Sequence, residues 1–539
     1  MPLYFDERRL TTERGKTIFD YADALSVRVP TSCNRSGECH ECIVEIKQGM
    51  HALTPPADAE EFLSGNYRLA CQCQIANSDA DVEFAILRRQ PRILTQSIKR
   101  NVPLKPLTRL EGNSVSFRGE HIDTYRGHIL GLAIDVGTTT VVMNLADLES
   151  GEVLHTASFE NPQKFGGSDI MHRISYDSGE FRGELRQVML SALNFEIGAM
   201  ARELKFHRRN IYETVIVGNS TMRDILFGID VQSIGQRPYK SLIEEDRLEG
   251  RRDTTALEAT AEEFGLRIFP SGKIYSGPII ASHVGADVAA DLLAIGIDEQ
   301  EDIVMLVDIG TNTEVVVGNK HRIMAASCPA GPAFEGGEVT YGMPGYVGAV
   351  EAIKLSNGNC EYETIGGADP EGICGSGLID LLAELRRTGL MNYLGVFEDG
   401  SNEFPFVPQK GMTLSRADIS ALAQAKSANF CGQFIVLRNY GVPLEEITKL
   451  YLAGGFANYI NVSNAVDIGF ITNVPNTKIE KVGNASLEGA TIMLLNGDMR
   501  SRIEELANQV EHVELETTSD FFEIFVDGCM FQPMSTKLT

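Results

Sequence analysis

Four cysteines near the N-terminus constrain the fold of this chain more than any other feature. Cys33, Cys39 and Cys42 lie in one loop of small and polar residues, and Cys71 follows farther along the chain. Thiolates are soft ligands that suit iron–sulfur centres, and four of them complete one cluster. Structural zinc sites usually pair their ligands as two short CxxC-like knuckles, a spacing that only Cys39 and Cys42 have. The pattern therefore favours an iron–sulfur site over a zinc site or unreactive thiols.

The order of these cysteines resembles that of plant-type and vertebrate-type [2Fe-2S] ferredoxins, which carry three clustered cysteines in one loop and a distant fourth. Cys73 is the local rival of Cys71 for the fourth position, and the ferredoxin-like string Arg-Leu-Ala-Cys-Gln at 68–72 favours Cys71. Short apolar strands are expected at 43–46 and 81–87. The resemblance implies a β-grasp [2Fe-2S] domain over residues 1–87.

Length and charge restrict the class of protein. The 539 residues predict about three or four folding units rather than one core. The chain has 74 acidic and 48 basic residues, a net charge of −26, which opposes binding to nucleic acid. The N-terminus has no apolar signal core and no apolar run is long enough to span a membrane. We therefore expect a cytoplasmic protein without a membrane partner, and the scattered remaining cysteines fit a reducing compartment.

Residues 88–128 are interpreted as a linker. Between 88 and 109 the chain has seven basic residues, three prolines and no acidic residue, a composition typical of an extended connection. The positive charge could dock against an acidic neighbour or belong to a solvated tether, and the sequence leaves both interpretations open.

A weak internal repeat occupies the remainder of the chain. The sequence Asp-Val-Gly-Thr-Thr at 135–139 follows an apolar strand, and Asp-Ile-Gly-Thr-Asn at 308–312 follows another. A second apolar strand comes after each, so each glycine turn should be the tip of a hairpin. Two such lobes facing each other would form a cleft. We predict a first lobe over 129–300 and a second over 301–539.

Both turns have residue types that bind a magnesium-complexed phosphate. Glycine lets the backbone approach a phosphate closely, amides and hydroxyls donate to its oxygens, and aspartate can hold Mg²⁺. For one turn alone, a buried strand ending in a structural turn is the competing interpretation. An apolar strand ending in Gly-Gly at 454–455 could let an adenosine lie against bare backbone. The candidates are Asp135 and Asp308 on the metal side, Gly137, Thr138, Thr139, Gly310, Thr311 and Asn312 around the phosphates, and Gly454 and Gly455 at the adenosine.

This ordered set resembles the superfamily of acetate kinase, sugar kinases, Hsp70 and actin, whose two ribonuclease-H-like lobes close on ATP. The resemblance implies an α/β and α+β multidomain protein in which a two-lobed, actin-like ATPase follows the β-grasp domain. A helix is predicted between Ser415 and Gly441, starting at a capping-box-like Ser415-x-x-Asp418. Its Lys426 either points at the nucleotide or is solvated.

The fusion of a ferredoxin-like domain to such an ATPase resembles one family, the reductive activators of corrinoid-dependent enzymes. The resemblance covers nearly the whole chain and rests on Asn-Pro-Gln at 161–163, Val-Gly-Asn-Ser-Thr-Met at 217–222, Val-Gly-Ala-Asp at 284–287, Ala-Gly-Pro-Ala-Phe-Glu-Gly at 330–336, Gly-Ile-Cys-Gly-Ser-Gly at 372–377 and Gly-Asn-Ala-Ser at 483–486. Because the stretch at 88–128 is short, no separate linker domain is expected.

The resemblance implies an ATP-dependent reactivation of a corrinoid protein from a methyltransferase system, with Mg²⁺ as a further cofactor. Cobalt(II) would be reduced to cobalt(I) by one electron through the [2Fe-2S] cluster, which a low-potential donor would refill. A homodimer is compatible with the sequence. Two alternatives are an activator of a radical dehydratase and a nucleotide-binding redox sensor without turnover.

Individual roles are less constrained than the loops. Asn219 follows an apolar strand and could position the attacking water, or it could simply form a turn. Ser327 or Cys328 could face the corrinoid and supply a cobalt ligand, and a buried small residue is the alternative. Cys374 is interpreted as a packed thiol.

Overall fold

The computed structural model describes residues 2–6, 8–87, 98–356, 359–455 and 457–534. Over these ranges the strands form three larger sheets, which belong to the N-terminal domain and the two lobes, and three small ones. Within the same ranges, no helix combines the length and apolar character that crossing a bilayer requires.

The N-terminal domain has a β-grasp arrangement, as predicted. Its elements are β1 (Pro2–Phe5), β2 (Arg8–Thr11), α1 (Ile18–Ala24), β3 (Ile43–Gln48), β4 (Tyr67–Leu69) and β5 (Val82–Ile86). The sheet order is β2-β1-β5-β3-β4, with β1 parallel to β5 and the other pairs antiparallel. Thr17 caps α1 in a capping box with Asp20, which satisfies free amides at the helix start. The loop between α1 and β3 carries three of the four candidate ligands.

The predicted linker contains regular structure. Residues 88–97 of this stretch lie outside the described residues. The strands β6 (Thr108–Glu111), β7 (Ser114–Phe117) and β8 (Glu120–Thr124) form an antiparallel three-stranded sheet. Thr108 donates to the buried Glu213 across 2.8 Å, and Tyr212 donates to Asp123 across 3.0 Å. The second half of this stretch is therefore a small sheet packed on the first lobe, and not an extended tether.

The first lobe is built around a six-stranded sheet. Its elements are β9 (Leu130–Val136), β10 (Thr140–Asp147), β11 (Val153–Glu160), α2 (Ile170–Asp177), α3 (Glu184–Glu203), β12 (Ile211–Gly218), α4 (Ser220–Phe227), α5 (Leu242–Leu248), β13 (Leu257–Thr260), α6 (Ala261–Phe264), β14 (Lys273–Ser276) and α7 (Ala286–Ile295). The sheet order is β11-β10-β9-β12-β14-β13.

The second lobe repeats this plan. Its elements are β15 (Val304–Ile309), β16 (Thr313–Asn319), β17 (Arg322–Cys328), β18 (Ala349–Ser356), β19 (Asn359–Thr364), β20 (Gly372–Ile373), α8 (Gly375–Arg387), β21 (Glu403–Val407), β22 (Met412–Ser415), α9 (Arg416–Tyr440), β23 (Lys449–Ala453), α10 (Val462–Asp467), β24 (Ile479–Gly483), α11 (Ala485–Leu495), α12 (Asp498–Gln509), β25 (Val510–His512) and α13 (Phe521–Gly528). The main sheet has the order β24-β23-β15-β16-β17-β25, and β19-β18-β20 and β21-β22 form two smaller sheets.

The internal repeat is a structural repeat. In the first lobe β9 pairs antiparallel with β10 and parallel with β12. In the second lobe β15 pairs antiparallel with β16 and parallel with β23 in the same way. Both glycine turns are therefore hairpin tips, as predicted. The parallel partner of each hairpin ends at the same edge of its sheet, so it brings a further loop beside each tip.

Helices α11 and α12 of the C-terminal region pack against α7 of the first lobe. Helix α11 packs on α7 and on the sheet of the first lobe, where a Cβ on Gly489 would lie only 2.1 Å from the Ala290 carbonyl oxygen. Asn144 donates to Thr491 across 3.2 Å. Residues within 301–539, which the sequence assigns to the second lobe, thus complete the core of the first lobe.

The ferredoxin-like domain packs directly on the first lobe. Buried side chains of both units, among them Leu3 and Leu130, belong to one continuous apolar cluster. Phe62 stacks on His40 at 4.2 Å between ring centroids and makes an edge contact with Phe165 of the first lobe at 5.9 Å. The interpretation of a solvated tether between independent units is therefore wrong.

Candidate functional site

The four candidate cluster ligands come together beside helix α3. Cys33 hydrogen-bonds with Cys39, and Cys42 with Cys71. Burial opposes ionisation of Cys33, but hydrogen bonds from Ser36 and Cys39 lower its pKa to about 6. The hydrogen bond with Cys42 lowers the pKa of Cys71 to about 7. Two of the thiols are thus prepared for the thiolate form that binds metal.

The thiols are arranged in two pairs. Among the described residues, no group of three or more His, Cys, Asp or Glu side chains gathers around a single-ion position. A [2Fe-2S] cluster has two irons that share four thiolates. The pairs Cys33 with Cys39 and Cys42 with Cys71 therefore fit a two-iron cluster.

Cys73 is separate from this group. It is fully buried, and burial raises its pKa to about 12, with Arg68 and Glu60 as its charged neighbours. Its surroundings are those of a structural thiol, which is consistent with the preference for Cys71 as the fourth ligand.

The loop between α1 and β3, which carries Cys33, Cys39 and Cys42 and is called the cluster loop below, is attached to the first lobe by polar contacts. Gln187 of α3 donates to the Cys39 carbonyl oxygen across 2.8 Å. The ring of His40 lies 2.9 Å from both carboxylate oxygens of Glu184 at the start of the same helix. His40 adopts a left-handed φ of 51°, so the contact holds a backbone conformation that most residues avoid.

The nucleotide candidates line a single cavity between the lobes. It contains both hairpin tips, the start of α4, the Gly-Gly turn after β23 and the start of α11. The predicted residues that line it are Asp135, Gly137, Thr138, Thr139, Asn219, Asp308, Gly310, Thr311, Asn312, Gly454 and Gly455. Ser327 is the remaining predicted binding residue, and it is not part of this lining.

Carboxylates dominate the polar lining of the cavity. Six of them line it, namely Asp135, Asp287, Asp308, Glu314, Glu335 and Glu351, and no lysine, arginine or histidine of the part of the chain that the structure describes belongs to the lining. Burial raises the pKa of Asp135 and of Asp287 to about 7, and the pKa of Asp308 also rises. Oxygen ligands of this kind suit Mg²⁺, whose charge would favour their ionised forms. A polyphosphate would need such a cation to bind here.

Asp135 and Asp308, which the sequence predicts on the metal side, interact with different neighbours. Asn484 at the start of α11 donates to Asp135 across 2.7 Å. Asp308 interacts with Asp291 of α7, whose Oδ1 accepts from Ser486 of α11 across 2.9 Å and whose Oδ2 is buried without a hydrogen-bond partner among the described residues. Asp135 thus contacts the start of α11, and Asp308 faces α7 of the first lobe.

Gly454 must be glycine for steric reasons. Its φ is 102°, and a Cβ there would lie 2.2 Å from the Ile309 carbonyl oxygen and 2.9 Å from Asp308 Oδ1. The bare backbone lets the two loops touch at the cavity wall. Phe456, which directly follows this Gly-Gly turn in the sequence, lies outside the described residues.

Asn219 is the N-cap of α4. Its Oδ1 accepts from the Met222 amide across 2.9 Å, and its Nδ2 donates to Thr138 across 3.1 Å. The side chain therefore fixes a helix start and the hairpin tip at 135–139 at the same time. This tip is called the first phosphate loop below, and the tip at 308–312 is called the second. The Asn219 oxygen is already occupied, which makes water activation by this group less favourable.

Three further residues are placed by the structure. Ser327 donates to Glu314 across 3.1 Å, and Cys328 is fully buried beside Gly432. Cys374 is buried at the edge of the cavity, 3.4 Å from Ser376. Lys426 is fully buried and donates to the Met530 carbonyl oxygen across 2.9 Å. Neither interpretation of Lys426, pointing at a nucleotide or solvated, is correct.

Several site residues carried no assigned role in the sequence. Asn161 donates to the Gly137 carbonyl oxygen across 2.8 Å, and Glu335 accepts from Thr139 and Thr311. Asn161, Asn484 and Glu335 belong to the strings that carried the family resemblance. Their partners are distant in sequence, so only membership in those strings could have pointed to them.

Family models match three successive parts of the chain. Residues 5–76 match the 2Fe-2S iron-sulfur cluster binding domain, residues 130–300 the RACo middle region, and residues 302–539 the C-terminal domain of RACo, the ASKHA domain. The last of these confirms the predicted fold of acetate and sugar kinases, Hsp70 and actin.

Relatives extend over the whole chain. The corrinoid activation enzyme RamQ of Eubacterium limosum is 30% identical over 97% of this chain and 98% of its own length. A [Co(II) methylated amine-specific corrinoid protein] reductase of Methanosarcina barkeri is 23% identical over 74% of this chain and 76% of that protein. A solved reductive activator for corrinoid, iron-sulfur protein superposes with a TM-score of 0.71 at 27% identity, covering 99% of this chain and 98% of that one. This chain therefore belongs to the family of reductive activators of corrinoid proteins.

Proposed function

We propose that this protein restores a corrinoid protein of a methyltransferase system by ATP-dependent reduction of cobalt(II) to cobalt(I) in the cytoplasm. The names of the full-length relatives support a corrinoid protein as the partner. Cys33, Cys39, Cys42 and Cys71 would hold a [2Fe-2S] cluster. When bound, this cluster supplies single electrons drawn from a low-potential donor, and Mg²⁺ neutralises phosphate charge.

The cavity between the lobes would bind ATP. Asp135 and Asp308 would hold the metal side, the backbone amides of the two hairpin tips and the Thr138 hydroxyl would bind the phosphates, and Gly454 with Gly455 would leave room for the adenosine. The absence of basic side chains from the lining means that nucleotide binding should depend strongly on a divalent cation.

The observation that carries the proposal is a continuous chain of contacts from the cluster loop to the first phosphate loop. Gln187 of α3 holds the Cys39 carbonyl. Two residues earlier on the same helix, the Leu185 carbonyl oxygen accepts from Gln163 across 3.0 Å. Asn161, two residues before Gln163, donates to the Gly137 carbonyl oxygen across 2.8 Å. A change at the phosphates can therefore reach the ferredoxin domain through packed elements.

The energetic requirement explains why a nucleotide is useful. For a one-electron step, about 59 mV is a tenfold factor in equilibrium, so an unfavourable gap of about 180 mV costs about 4 kcal/mol. A nucleotide can offset this cost only if it binds the reducing conformation more tightly than the resting one. Closure of the two lobes on ATP would provide that difference in affinity.

A direct assay tests this function. Corrinoid protein in the cobalt(II) state is mixed with a reductant and this protein, with and without Mg-ATP, and cobalt(I) is followed by its visible absorption. We expect cobalt(I) only with Mg-ATP.

The variant Cys71→Ser should abolish the reaction and lower the iron content below about two per chain. Cys73→Ser is the matched control and should retain both. Equal rates without ATP, or full activity of Cys71→Ser, would refute the proposal.

A further inference from the structure

Glu335 lies where the two phosphate loops meet. It ends a short 3₁₀ turn, Ala333–Glu335, that follows strand β17. Its Oε2 accepts hydrogen bonds from Thr139 of the first loop across 3.0 Å and from Thr311 of the second across 2.5 Å. The two hydroxyl oxygens are themselves 3.0 Å apart. One carboxylate oxygen is thus shared by hydroxyls from both lobes.

The two oxygens of this carboxylate have different surroundings. Oε2 is fixed by the threonines, whereas no hydrogen bond to Oε1 is formed by any residue that the structure describes. Glu335 lines the cavity and is only partly buried. A carboxylate with one anchored oxygen and one free oxygen has a fixed orientation and can still accept a proton.

The other deep carboxylates form a separate group. Asp135 is affected electrostatically by Asp287 and Asp308, and the same two aspartates act on Glu314. None of these acids is among the groups that shift Glu335, for which Arg173 is the charged neighbour. A carboxylate that holds a metal ion is not free to take a proton, so the separation leaves Glu335 available.

The pKa of Glu335 also suits a group that accepts a proton. Burial raises its pKa above the ordinary glutamate value, while the two threonine hydroxyls and the positive charge of Arg173 act in the opposite direction. A carboxylate base is more effective when its pKa moves toward the working pH and it remains ionised.

Resting on the proposed function, we propose that Glu335 is the general base of ATP hydrolysis in this protein. A water molecule held by Oε1 forms a bond from its oxygen to the terminal phosphorus. The bond between that phosphorus and the bridging oxygen breaks, ADP leaves with the electron pair, and the water proton goes to Glu335. Thr139 and Thr311 position the base.

The test separates chemistry from binding. Single-turnover cleavage of Mg-ATP is measured for the wild type, Glu335→Gln and Glu335→Asp in the full-length protein, and the Kd of ATP is measured for each. Loss of a general base typically costs 10²- to 10⁴-fold, so we expect Glu335→Gln to lower the cleavage rate by at least about 100-fold with the Kd changed less than about threefold. Glu335→Asp should keep a rate about tenfold below the wild type, because a carboxylate remains.

The matched control is Glu338→Gln, because Glu338 is exposed on the same loop and should behave as the wild type. If Glu335→Gln cleaves ATP at the wild-type rate, or binds ATP more tightly without slower cleavage, the inference is wrong and the proposed function stands. If Glu335→Gln fails to fold, a wild-type rate for Glu335→Asp would overturn the inference. If the wild type itself cleaves no ATP with its corrinoid partner present, both fail together.

Discussion

Lys426 shows at the scale of one residue how the second lobe accommodates a polar group in its core. The side chain is fully buried in helix α9, donates to the Met530 carbonyl oxygen and lies 5.7 Å from the ring centroids of Phe430 and Phe531. Burial lowers the pKa of Lys426 to about 7, because the charged form is poorly solvated there. The lysine thus ties the C-terminal segment to α9.

This environment predicts a pH-dependent contribution to stability. The folded-state pKa is depressed, so between about pH 7 and the ordinary lysine value the unfolded chain binds more protons than the folded one. The free energy of unfolding should therefore rise with pH in this window, by at most about 1.4 kcal/mol per pH unit from this group. Urea unfolding of the wild type and Lys426→Met at pH 7.5 and 9.5 checks this. The wild type should gain relative to the variant at the higher pH, and a constant difference would contradict the account.

Single residues also show which parts of the candidate site can be predicted from the sequence and which cannot. The two hairpin tips that line the cavity could be singled out in the sequence because each carries aspartate, glycine and threonine in that order after an apolar strand. The environment of Lys426 could not, since Met530 and Phe531 lie far away in sequence. The position of Glu335 was equally hidden, because its hydrogen bonds come from Thr139 and Thr311 of two different lobes.

At the scale of elements, helix α3 connects the loop of Cys33, Cys39 and Cys42 with the segment beside the first hairpin tip. Its first turns contact the cluster loop through Glu184 and Gln187, and its Leu185 carbonyl accepts from Gln163 beside the first phosphate loop. The strand pairs of both lobes, the hairpin tips and helix α9 between Ser415 and Gly441 were all predictable from apolar runs and caps. The sheet of β6, β7 and β8 was not, because prolines and basic residues just before it suggested a tether.

The connection through α3 predicts a separable defect. The double variant Glu184→Gln/Gln187→Ala removes the polar contacts to the cluster loop, each worth about 1 kcal/mol. We expect ATP-dependent cobalt(I) formation to fall about tenfold, while ATP hydrolysis and the iron content stay unchanged. Glu203→Gln, an exposed site at the other end of α3, is the control. A parallel loss of hydrolysis would show that α3 acts on the nucleotide site alone.

At the scale of the whole molecule, three units form one packed body. The ferredoxin-like domain shares its apolar cluster with the first lobe, and α11 of the C-terminal region completes the core of that lobe. Sequence patterns indicated the units but not these contacts, because apolar faces that meet across domains look like ordinary core positions. The order of the units therefore suggests tethered domains, whereas in the structure the loop of Cys33, Cys39 and Cys42 packs directly on the first lobe.

The central claim is that the electron reaches cobalt from this protein only when ATP is bound. The protein is reduced beforehand, the external donor is removed, and the sample is mixed with cobalt(II) corrinoid protein with or without Mg-ATP. The account predicts that with Mg-ATP the electron paramagnetic resonance signal of the reduced protein disappears as cobalt(I) appears, about one for one because each cluster delivers one electron. Cobalt(I) formation at the same rate without nucleotide, or without loss of the reduced signal, would contradict it.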